Sequence, residues 1–199
     1  MKYDSPLFGL NETLQGTDDD GNLINKEYVG TKIRFPGQRY TGGVRGSKAR
    51  YNSFPIDAVA IRNVSSAALA PGALVKLDTT VSDPHDMLGQ ADALAGTAND
   101  YPVVAVSGFI TAGTTVAVND IFWGIYCGPT QVLTASSGLQ DASPGDHIVV
   151  GGTSNGGVDK ISGTPTVAEA MALLGFYLES VTGATDTNAL KWASLTIRL

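Results

Sequence analysis

Ala70-Pro71-Gly72-Ala73-Leu74-Val75-Lys76-Leu77 is a tight turn followed by a short apolar run, and the fold class follows from how the chain repeats that device. Proline at the second turn position presets φ and glycine at the third supplies a positive φ, so the chain reverses and enters a strand. Thr111-Ala112-Gly113-Thr114-Thr115-Val116-Ala117-Val118 and Ser143-Pro144-Gly145-Asp146-His147-Ile148-Val149-Val150 share the shape. The glycines are 41 and 32 residues apart, and this unequal spacing marks a repeated turn device rather than a solenoid.

Outward from these turns the chain is a series of short β-type runs. They are expected at Ile56 to Val64, Leu74 to Leu77, Val103 to Ile110, Thr115 to Val118 and Ile121 to Cys127. Gln131 to Thr134, His147 to Val150, Val158 to Ile161, Phe176 to Val181 and Trp192 to Leu199 complete the set. Helix is scarce. One is predicted at Asp86 to Ala95 and another from Thr166, where Thr166-Val167-Ala168-Glu169 fits a capping box and Gly175 fits the glycine after a helix end. The 199 residues suffice for one domain with a core, and 24 Gly with 9 Pro and only 16% charged residues argue against a helical bundle. The expected class is all-β, a small β-barrel or β-sandwich with short helical turns and a long extended N-terminal arm.

Charge divides the chain into an arm, residues 1–55, and a body, residues 56–199. The first 55 residues hold eight Lys/Arg against six acids, a net of +2; the remainder holds five against thirteen, a net of −8. Between Lys26 and Arg50 there are seven basic residues and one acid, Glu27, with no sustained apolar period. Seven of the fifteen aromatics also lie in the first 55 residues, which a disordered low-hydrophobicity tail would lack. The arm is therefore expected to dock on another surface, of the same chain or of a partner. The partner-contact residues are expected to be Arg34, Phe35, Arg39, Tyr40, Arg45, Lys48, Arg50 and Tyr51. The total charge of −6 disfavours nucleic acid and anionic membrane as bulk partners. With no apolar leader and no 18-residue apolar stretch, the chain reads as soluble and made in a reducing cytoplasm.

The motifs that could carry chemistry fail on their context. Gly152-Thr153-Ser154-Asn155-Gly156 matches the nucleophile elbow, which needs a helix after the serine and a histidine later in the chain; Gly157-Val158 leads into a strand, and His85 and His147 both precede Ser154. Gly42-Gly43-Val44-Arg45-Gly46-Ser47-Lys48 has a phosphate-loop flavour without the G-K-[ST] order. Asp18-Asp19-Asp20-Gly21-Asn22 puts Leu23 and Val29 where a calcium loop needs glycine and glutamate. Cys127 reads as a small core hydrophobe, no acid pair is spaced for acid–base work, and the sequons at Asn11 and Asn63 lack a secretory context. No enzyme activity, cofactor, metal or small-molecule substrate is expected.

Val59-Ala60-Ile61-Arg62-Asn63-Val64-Ser65, the Ala70 to Leu77 and Pro144 to Val150 turn-and-strand units, Leu174-Gly175-Phe176-Tyr177-Leu178-Glu179 and the terminal run Ala193 to Leu199 resemble capsid decoration, or cement, proteins of tailed bacteriophages. The similarity spans roughly residues 56–199. It implies a small β body, often a homotrimer, on the outside of an icosahedral head at threefold or quasi-threefold positions. There it would brace major capsid protein subunits, with an N-terminal arm reaching the capsid surface. The competing expectations are a carbohydrate-binding tail-fibre or adhesin head using Trp123, Tyr126 or Trp192, and a nucleic-acid-binding module using the basic arm.

Overall fold

A computed structural model describes residues 8–35, 55–78, 89–97, 100, 102–111, 113–197 and 199. It is nearly all β, as the turn-and-strand rhythm predicts. The strands are β1 (Lys32–Phe35), β2 (Ile56–Asn63), β3 (Leu74–Leu77), β4 (Gln90–Leu94), β5 (Val103–Val106) and β6 (Ile121–Leu133). β7 (His147–Val150), β8 (Val158–Lys160), β9 (Gly175–Tyr177) and β10 (Leu190–Thr196) follow, with one short helix, α1 (Val167–Met171), between β8 and β9.

Hydrogen-bonded neighbours run in the order β1-β2-β4-β3-β5-β6-β10-β9-β7-β8, and β2 also pairs with β6. That additional pairing closes a circuit of five strands: β2, β4, β3, β5, β6 and back to β2. A second circuit runs from β6 through β10, β9, β7 and β8, and a parallel bridge between Thr134, just past β6, and Val158 brings it back. Closure removes most open strand edges, which would otherwise template unwanted pairing.

β6 belongs to both circuits. Over residues 121–127 it pairs with β2, and over 127–133 with β10. Reading Gly128-Pro129 as a break splits this strand into two runs. Instead the strand continues as one element of 13 residues, bent where Gly128 takes φ +100. A Cβ there would lie 2.4 Å from the Pro55 carbonyl oxygen, so only glycine lets β2 approach. Pro129 is accommodated opposite Ser194 of β10.

Both faces of the first circuit are buried. Val59, Ile61, Val75, Leu77, Val104, Val106, Val116 and Phe122 form one apolar cluster. Ile56, Ala58, Ala60, Leu74, Ala105, Trp123 and Ile125, on the alternate positions of the same strands, belong to a second cluster that extends into the second circuit. This is why β2 reads as a nearly continuous apolar run.

The N-terminal segment supplies part of that second cluster. Phe8, Leu10 and Phe35 are buried, and β1 pairs antiparallel with β2 from Lys32↔Val59 to Phe35↔Ile56. Residues 8–35 are thus packed on the body as a strap. Of the expected arm, residues 1–7 and 36–54 lie outside the described residues.

Two helix expectations are corrected. Residues 90–94 of the predicted Asp86 to Ala95 helix form β4, because pairing with β3 and β2 overrides the local propensity of this Ala-rich stretch. The Thr166 capping box is present, Thr166 Oγ1 accepting from the Glu169 N–H and Glu169 from the Thr166 N–H, but the helix ends at Met171. Gly175, expected just after the helix, opens β9 at φ +148. Of the expected Thr115 to Val118 strand only Val116 pairs, in a single bridge to Leu69.

Two outcomes follow. Phe35→Ala lowers stability by about 3–5 kcal/mol in urea unfolding, whereas Met171→Ala, at an exposed position, changes it by less than about 0.5 kcal/mol. Asp159 is buried, and desolvation raises its pKa above the usual carboxylate value. Its neutral form is therefore favoured by folding, and the stability present below about pH 4 is lost as pH rises through the folded pKa. Asp159→Asn should match the parent in acid and become progressively more stable than it toward neutral pH; a pH-independent gap would contradict this.

Candidate partner-binding surface

The register of the first hairpin fixes the most distinctive feature of the surface. Because Phe35 and Ile56 are paired across β1 and β2, both ends of residues 36–54 are held side by side. The basic aromatic stretch therefore connects two paired strands, β1 and β2. It carries Arg39, Arg45, Lys48 and Arg50 with Tyr40, Tyr51 and Phe54, and no acid. Pinning lowers the entropy lost when such a segment binds, compared with a free terminus.

Of the eight expected contact residues, only Arg34 and Phe35 are described, and they part ways. Arg34 sits at the root of the loop on the solvent side of β1. Its Nε and Nη2 donate to the two Asp57 carboxylate oxygens at 2.6 and 2.8 Å, while 70% of its side chain stays exposed. The hydrogen bond to Asp57 and that residue's charge hold the guanidinium more firmly protonated than usual. Phe35 is a correction: alternation along β1 turns it inward, where its ring meets Trp123 edge-on with centroids 5.3 Å apart. Arg39, Tyr40, Arg45, Lys48, Arg50 and Tyr51 lie outside the described residues.

Around Arg34 the surface continues through Lys32, whose Nζ lies 5.8 Å from the centre of the Tyr126 ring. Burial, and then the Asp57 charge, raise the pKa of both Tyr126 and Cys127. Cys127, expected as a small core hydrophobe, is half-buried, and its raised pKa favours the thiol over the thiolate. The described patch offers the Arg34 and Lys32 cations, the Asp57 carboxylate and an aromatic ring.

The strap is held by body side chains that donate to its backbone carbonyls. Arg62 is buried, and its guanidinium donates to Gly16 O and Ile24 O at 2.9 Å each and to Asn119 O at 3.3 Å. Trp123 Nε1 donates to Phe8 O at 3.0 Å, its ring stacked on Phe8 at 4.7 Å, and Ser107 Oγ donates to Leu10 O. The charge pattern hid Arg62, which counts as one of the few basic residues of the body; its place inside an apolar strand run was the available signal.

Several of the other sequence motifs lie in turns or in the core. Ser154 lies in the turn between β7 and β8 with a strand after it, and Thr153, Asn155 and Gly157 hydrogen-bond within that turn. Asp18 accepts from the Asp20 N–H and from the Asn22 N–H and side-chain amide, so it closes its own turn. Asn63 is fully buried, its amide directed at the Ala67, Val116 and Ala117 carbonyls, which removes the second sequon from any modifying enzyme. His147 is exposed at the start of β7, while His85 and the Gly42 to Lys48 stretch lie outside the described residues. Trp123 and Trp192 are buried, so neither presents the ring face a sugar would stack on. Among the described residues no cluster of His, Cys, Asp or Glu could hold a metal ion, and no helix is long and apolar enough to cross a membrane.

Neither a protein-family model nor a curated protein matches the chain.

The state of Cys127 is directly measurable. In the folded protein at pH 8 it should alkylate with iodoacetamide more slowly than in urea, read by mass spectrometry. Equal rates would show that the β2–β6 pairing does not shield it.

Proposed function

We propose that this is a structural virion protein, a decoration or cement protein of a tailed-phage head that binds the capsid exterior through the β1–β2 loop and braces neighbouring major capsid subunits. The observation that carries the reading is the pairing of Phe35 with Ile56. It mounts a loop of net charge +4, rich in arginine and aromatics, on a rigid β body of net charge −8. Arginine and tyrosine are the residues that most often dominate protein–protein contacts, and a loop fixed at both ends transmits force between the surfaces it joins. A bracing role asks for a stiff body and projecting contacts and for no reacting groups.

In this reading the protein acts as a homotrimer at threefold or quasi-threefold positions. Three loops on one trimer multiply weak individual contacts into strong attachment. Arg34 and Lys32 at the loop root, with Arg39, Arg45, Lys48 and Arg50 beyond, meet acidic capsid surface; Tyr40 and Tyr51 supply the buried contact area. Phe35 is excluded from the contact set because it is part of the core.

The loop has to be removed without the strap, because Phe8, Leu10 and β1 belong to the packed body. Replacing residues 37–54 by Asn-Gly keeps the Phe35–Ile56 register and leaves a two-residue turn between Pro36 and Pro55. The shortened protein should unfold at the temperature of the parent or above and should no longer co-sediment with expanded heads. Undiminished co-sedimentation of a folded loop-less variant would refute the proposal.

A further inference from the structure

We infer that the chain is a tandem duplication of one five-strand unit, fused so that β6 is the last strand of the first unit and the first strand of the second. The two pairing circuits have the same topology. In the first, β2 pairs parallel with β4, β4 antiparallel with β3, β3 with β5, β5 with β6, and β6 with β2. In the second, residue 134 at the end of β6 bridges parallel to β8, and β8, β7, β9, β10 and β6 follow in antiparallel pairs.

The hydrogen bonds outside the ladders repeat as well. Gly72 N–H donates to Val106 O at 3.0 Å and Gly145 N–H to Tyr177 O at 2.8 Å. Val106 N–H donates to Ala73 O and Tyr177 N–H to Asp146 O, at 2.8 and 2.9 Å. Ser107 N–H donates to Trp123 O and Leu178 N–H to Trp192 O, at 3.0 and 2.8 Å, and Val64 to Ala91 matches Ala135 to Val158. Each unit places a single bridge before its Pro-Gly turn, Leu69 to Val116 and Ala142 to Val181. Each also sets an asparagine in the left-handed region two residues before its last strand, Asn119 at φ 71 and Asn188 at φ 56. Non-glycine residues in that region are uncommon, so two at matched positions are not incidental to β topology.

The matched positions carry matched residues where packing demands it. Asn119-x-Ile121-x-Trp123-Gly124 corresponds to Asn188-x-Leu190-x-Trp192-Ala193, and these are the only two tryptophans in the chain. Each tryptophan is covered by a phenylalanine from the segment that precedes its unit. Phe8 of the strap stacks on Trp123 at 4.7 Å, and Phe109, between β5 and β6, meets Trp192 edge-on at 5.8 Å. A phenylalanine thus meets each tryptophan, once from the strap and once from the first unit, stacked on Trp123 and edge-on to Trp192. What the units do not share is what each adds: the strap and basic loop before β2, and α1 with its exposed Val167 and Met171 after β8.

Two units with their own aromatic seats loosen separately, which amide hydrogen exchange by NMR can read. Phe8→Ala should speed exchange of the Val106 and Ser107 amides at least about tenfold and leave Tyr177 and Leu178 within about twofold; Phe109→Ala should do the reverse. A variant that loosens both sets equally would overturn the duplication as a description of the folding units. If either variant does not fold, the parent protein decides: cross-strand contacts must be observed for all four bonds in both units, and absence of one unit's set would overturn the inference.

Discussion

Strand β6 has to satisfy two closed hydrogen-bonding circuits at once, and the rest of the molecule is arranged around that demand. Its first half is committed to β2 and its second half to β10, with the exchange of partners falling at Cys127, which is paired to both Asp57 and Thr196. A regular strand cannot turn from one circuit into the other without a bend, and Gly128 provides it. Gly124 meets a second demand. A Cβ there would stand 2.6 Å from Ile61 Cδ1 and 2.7 Å from Val104 Cγ2, so the interior of the first circuit is filled by neighbours only because this position is bare.

Two buried faces on one small circuit leave an outer apolar surface that must be covered, and the strap covers it. Its anchoring is unusual in using backbone carbonyls as acceptors for tryptophan, serine and arginine side chains of the body. The Arg62 guanidinium has lost water, which lowers its pKa, and in exchange spans two strap carbonyls and one from the β5–β6 connection. A buried charge satisfied in this way is costly to leave unpartnered, so it ties the position of the strap to the integrity of the body.

This arrangement bears on function through the loop. A flexible terminal arm and a loop rooted in a packed hairpin differ in what they can transmit: the first tethers, the second also resists displacement. With Arg34 locked onto Asp57 at the root and Phe35 driven into the core one residue later, the hairpin ends abruptly and firmly at the point where the basic segment begins. The described chemistry on that surface is the Arg34–Asp57 pair with Lys32 beside the Tyr126 ring.

The sequence by itself determined the all-β class, most strand positions, the Thr166 capping box and the separation of a basic region from an acidic body. These are properties of local φ preferences, alternation and composition, all of which are legible residue by residue. The tertiary structure alone decided that β6 is one strand through Gly128-Pro129, that residues 90–94 are a strand, that Phe35 is core and that Arg62 is a clamp. It also packed residues 8–35 on the body as a strap and revealed the second copy of the unit. Each depends on which strand lies beside which, and pairing between residues tens of positions apart leaves no mark on local sequence. The repeated Pro-Gly turns and the two spaced tryptophans were visible in the chain, but only the matched hydrogen bonds gave them a common register.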